Sequence, residues 1–114
     1  MKHISALTLI LIISGVGYSQ NRSVNLLKNE SYEEVAKLAQ KENKLLFLDF
    51  WGVSCKSCAA MKRTTFKEPE VIAHMGDWVK VAVQADDMND PLLQAILKRY
   101  EVIGLPTYVL MRRE

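Results

Sequence analysis

Cys55 and Cys58 are the only two cysteines in a chain of 114 residues. Cys55-Lys56-Ser57-Cys58 follows an apolar run and opens a helical pattern, Ala59-Ala60-Met61-Lys62. A cysteine at a helix start lies beside unpaired amides at the positive end of the helix dipole, which favours thiolate over thiol. Lys56 adds positive charge. Cys58 is one helical turn on, within reach of a mixed disulfide formed on Cys55. Cys55 is then the nucleophile and Cys58 the resolving thiol. A loop this small constrains the unfolded chain little, so the spacing argues for chemistry rather than for a staple.

Other uses of the pair are less well supplied. A zinc site takes about four ligands, and beyond the leader the chain offers only His74 and carboxylates besides the thiols. Haem attachment needs His after the second Cys, and Ala59 stands there. A copper chaperone or other non-catalytic binder, using both thiolates with Met61, is the alternative from another class.

The elements around the pair alternate. Ser31 and Glu34 form a capping box, so a helix should begin at Tyr32, burying Val35, Leu38 and Ala39. Leu45–Phe50 reads as a central strand interrupted only by Asp49. After Cys55 a helix should bend or break at Pro69, with Val71, Ile72 and Met75 on the second piece. Trp78–Ala85 is a strand and Asp86–Asp90 a polar loop. A helix opens at Asp90-Pro91, buries Leu93, Ile96, Leu97 and Tyr100, and yields to Gly104. Thr107–Met111 is the last strand. This order predicts an α/β fold, a sheet flanked by helices.

Residues 1–19 read as a secretory signal peptide: a basic start, an apolar run Ile4–Val16 too short to span a bilayer, and small Gly17 and Ser19 before a cleavage after Ser19. Residues 20–30 read as a polar linker, leaving 31–114 as one domain. Asn21 and Asn29 begin N-x-S sequons, of consequence only in a host that glycosylates secreted proteins. The net charge of +2 is too small to draw nucleic acid or anionic lipid.

DFWGVSCKSC, followed by GLPT, resembles the thioredoxin superfamily. The longer match CKSCAAMKRTTFKEPEV, then YEVIGLPTYVL, is most similar to the C-terminal periplasmic domain of the DsbD thiol:disulfide interchange proteins, over about residues 30–111. The resemblance implies a thioredoxin-like fold with a central mixed sheet. It makes Asp49 the buried carboxylate that handles the proton of the second Cys; burial should raise its pKa toward the range of a general base. It makes Pro106 a cis-proline beside the CxxC, Leu105 a backbone partner for an extended substrate, and Trp51 an aromatic beside the site.

The implied activity is reduction of protein disulfides outside the cytoplasm, by a monomer that needs no cofactor and takes electrons from a membrane or soluble donor. Oxidase or isomerase action is the other direction of the same chemistry. Two positions depart from the pattern. Ser54 replaces the usual Trp before the first Cys, and Lys62 stands where the DsbD domain has a second carboxylate. The resemblance also calls for another strand and a final helix after Met111, so a truncated domain with an exposed edge at the last strand is expected.

Overall fold

The run Leu-Leu-Phe-Leu-Asp-Phe supplies the strand on which the rest is built. The computed structural model describes residues 23–26 and 32–112. In order they form β1 (Ser23–Leu26), α1 (Tyr32–Lys41), β2 (Leu46–Trp51), α2 (Lys56–Arg63), a 3-10 turn (Thr65–Lys67), α3 (Pro69–Met75), β3 (Val79–Gln84), α4 (Pro91–Arg99) and β4 (Thr107–Met111). The sheet order is β1-β3-β2-β4. Its pairings are parallel at β1·β3 and β2·β3 and antiparallel at β2·β4, which makes the sheet mixed.

Period-two alternation divides β2 between two faces. Leu46, Leu48 and Phe50 are fully buried, beside Val79, Val81 and Val83 of β3. Tyr32, Ala36 and Ala39 of α1 and Leu93 and Ile96 of α4 complete this core. Phe47, Asp49 and Trp51 point to the opposite face. There Phe47 packs against Phe66 of the 3-10 turn, Trp78 and Tyr108 of β4. α2 and the segment after it cover that face, which therefore carries the chemistry.

Local sequence sets the helix limits. Pro69 occupies the first turn of α3, so the helical stretch breaks there as expected. Asp90 caps α4 by accepting the Leu92 N–H at 2.9 Å. α4 stops at Arg99, short of Gly104. Glu101 takes a left-handed φ of 53°, and the Val102 N–H closes on the Leu97 carbonyl at 2.9 Å, so a Schellman-type turn ends the helix without glycine. The Tyr32 and Tyr100 hydroxyls are hydrogen-bonded, tying the start of α1 to the end of α4.

One expectation is corrected. Within the stretch read as a linker, Ser23–Leu26 forms β1 and pairs with Lys80–Val83. Four residues are too few for periodicity to announce a strand; its hydrogen-bonding partner lies far away in sequence. The signal peptide, the sequons at Asn21 and Asn29 and the Ser31 cap lie outside the described residues. β4 lies at an edge of the sheet, with Leu110 exposed.

Phe50 is wholly enclosed on the core face. Phe50→Ala should cost about 3–5 kcal/mol in denaturant unfolding of the disulfide form, with an unchanged slope. A loss below about 1 kcal/mol would contradict this core.

Candidate active site

Cys55 is the N-cap of α2, extended at φ −82° and ψ 98°. Its sulfur accepts the Cys58 N–H at 3.1 Å, so one first-turn amide of α2 already points at the reacting atom. The two cysteines are joined in a disulfide, with Cα atoms 5.2 Å apart. Their exposures differ: Cys55 is half-buried, while Cys58 is only 4% exposed. A partner can approach the first sulfur more readily than the second.

Three chain segments converge on the turn before Cys55. The Cys55 N–H donates to the Gly52 carbonyl at 3.1 Å, and the Ala85 N–H to the Trp51 carbonyl at 2.7 Å. The Val53 N–H lies 3.2 Å from each carboxylate oxygen of Asp86, and Gln84 Nε2 donates to the same carboxylate at 2.6 Å. Asp86 thus fastens the turn after β2 to the end of β3. A Cβ at position 52 would lie 3.0 Å from both Asp86 Oδ1 and Leu105 Cδ1. A larger residue there would press on both side chains, so glycine suits this close approach.

Leu105 belongs to the third segment. The Leu105–Pro106 bond is cis, and the Thr107 hydroxyl donates to the Gly104 carbonyl at 2.5 Å. Val53, Ile103 and Leu105 leave apolar surface exposed along these loops.

Asp49 lies deeper, in the middle of β2. Burial pushes its carboxyl above the ordinary value, and the positive charge of Lys62 partly opposes this. Lys62 Nζ sits 4.3 Å from the centre of the Trp51 ring, a cation–π contact. Tyr108 is paired opposite Asp49 across β2·β4. Its hydroxyl pKa is raised by burial and then by the negative charge of Asp49. The Tyr108 ring stacks on Phe47 and meets Phe66 edge-on, so aromatic rings occupy the sheet face that half-buried Asp49 shares.

The structure therefore brings Cys55 and Cys58 together and sets Leu105, with Pro106, against the turn that leads to them. Trp51 and Asp49 share a sheet face beneath α2. Sequence reasoning missed Asp86 and Gly52, which it left in a polar loop and a motif, and Tyr108. A usable signal existed for Asp86: a carboxylate just past a parallel strand lies at the carboxyl end of the sheet, where sites assemble. Among the described residues, no group of three or more His, Cys, Asp or Glu is placed to hold a metal ion.

Comparison with known proteins agrees with this geometry. The thioredoxin-like domain family model matches residues 32–114. The thiol:disulfide interchange protein DsbD of Photorhabdus laumondii is 27% identical over 93 residues, covering 81% of this chain but 16% of that protein. DsbD of Ralstonia nicotianae is 31% identical over 97 residues, with 83% and 15% covered. The chain thus spans about a sixth of the length of these relatives. The reduced C-terminal domain of Neisseria meningitidis DsbD superposes with a TM-score of 0.65 at 28% identity, covering 78% of this chain and 77% of that one.

A carboxyl whose folded pKa is raised contributes stability that is complete below its unfolded pKa and is lost as pH rises through the folded value. Burial of Asp49 therefore works against the fold at neutral pH. Asp49→Asn should melt at a higher temperature than the parent at pH 7, and the gain should shrink as pH falls toward about 4. Thermal unfolding of the disulfide form at several pH values checks this.

Proposed function

Since the chain belongs to the thioredoxin-like domain family, we propose that it reduces protein disulfides outside the cytoplasm by exchange through Cys55 and Cys58. The observation that carries this reading is the unequal pair at the start of α2: a half-buried Cys55 that accepts a helix amide, bonded to a buried Cys58.

The Cys55 thiolate attacks one sulfur of a substrate disulfide, forming a mixed disulfide and releasing the other substrate sulfur as a thiolate, which takes a proton. Cys58 gives its proton to the Asp49 carboxylate and attacks the Cys55 sulfur. The second substrate thiol leaves, and two electrons have passed to the substrate. The protein is left in the Cys55–Cys58 disulfide form, to be reduced again by a membrane or soluble dithiol donor.

The loops around the pair suit a polypeptide substrate. Leu105 lies beside Gly52 just before β4 begins, and Val53, Ile103 and Leu105 give apolar contact without reading one sequence. Trp51, with Lys62 over its ring, ties the last turn of α2 to the end of β2. The exchange chemistry draws support from relatives named as thiol:disulfide interchange proteins. Placement outside the cytoplasm rests on the leader-like residues 1–19. Among the described residues no helix is long and apolar enough to cross a membrane.

Equilibration in thiol buffers tests the direction. A reductase should show a potential near that of thioredoxin, about −270 mV, and Cys58→Ala should accumulate mixed disulfides on Cys55. A potential near about −120 mV would overturn reduction in favour of oxidation.

A further inference from the structure

Lys62 has no part in the steps above, yet its charge acts on Asp49. It lies one helical turn beyond Cys58, on the same side of α2. Its ammonium rests 4.3 Å from the Trp51 ring centre, and Trp51 is two positions from Asp49 on one face of β2. Cys58 is buried, and its place four residues before Lys62 puts it on the same side of α2. An exposed lysine is normally free to swing into water; the aromatic ring gives this one a reason to stay.

The geometry points to Lys62 as a positioning residue for proton exchange between Asp49 and Cys58, a fixed cation that keeps Asp49 ready to accept the Cys58 proton. This rests on the disulfide-exchange reading above. The other groups facing Asp49 cannot do the same. β4 presents Tyr108, neutral at physiological pH and disfavoured as an anion by Asp49 itself. β3 presents Ala82 directly opposite, with Lys80 one pair further along that face opposite Phe47; the charge that acts on Asp49 is that of Lys62. The 3-10 turn contributes Phe66. The Coulomb attraction of Lys62 opposes the effect of burial on Asp49.

Resolution requires Asp49 as the carboxylate, so removing the cation should raise the pH below which Cys58 is slow to attack. The same charge favours the Cys58 thiolate, and both effects act in one direction.

The test begins with the disulfide form, in which neither cysteine titrates. The Asp49 carboxyl carbon is followed by NMR against pH in the parent, Lys62→Gln and Lys62→Arg. The midpoint should rise by about half a pH unit in Lys62→Gln and stay at the parental value in Lys62→Arg. An unmoved midpoint in Lys62→Gln overturns the inference, as does an equal rise in Lys62→Arg. In disulfide reduction, the acidic limb of the pH–rate profile should move with the midpoint, making Lys62→Gln roughly threefold slower on that limb. A shifted limb with a shifted midpoint supports the inference; a shifted midpoint beneath an unshifted limb overturns the role in proton exchange. A shifted midpoint in a chain that reduces no disulfide upholds the electrostatic coupling and overturns the proposed function instead.

Discussion

The register of β2 between β3 and β4 is the constraint on which the site depends. Leu46 pairs with Val79 and Trp51 with Gln84 on one side, and Phe50 with Thr107 on the other. Parallel pairing with β3 brings the ends of both strands to one edge, so Asp86 can reach Val53. Antiparallel pairing with β4 starts that strand beside the end of β2, which delivers Leu105 to Gly52. A slip of one residue would exchange the faces. Asp49 would enter the core of Leu46, Leu48 and Phe50, and the turn before Cys55 would lose its supports.

From that register follow two opposed electrostatic settings within one small site. At the surface, the Cys58 N–H in the first turn of α2 points at the Cys55 sulfur and favours negative charge there. Beneath it, burial of Asp49 disfavours negative charge on oxygen. In the proposed exchange these two settings suit Cys55 to act as nucleophile and Asp49 as proton acceptor in successive steps. Holding Asp49 there weakens the fold at neutral pH, a cost carried by the alternating core on the other side of the sheet.

Much of this was legible in the residues. The strands at 46–51, 79–84 and 107–111 lie within a residue of the limits read from hydrophobic runs, because their burial dominates local preference. The break at Pro69 and the cap at Asp90 follow from single residues with definite backbone consequences. β1 was not legible, since its strand character comes from pairing with β3. The end of α4 was missed because Glu101 assumes a conformation usually left to glycine. Within the site, Cys55 and Cys58 announced themselves by type and spacing, and Asp49 through the family resemblance. Asp86, Gly52 and Tyr108 act through contacts made across the sheet, which no local window contains.

The most direct measurement is the ionisation of Cys55 in the reduced protein, followed by the pH dependence of its alkylation. A nucleophile at the start of α2 should ionise at least about one pH unit below an ordinary cysteine, near 8.5 or higher for Cys58. If both thiols react with one midpoint near about 8.5, the helix start does not activate Cys55, and the unequal roles of the pair are wrong.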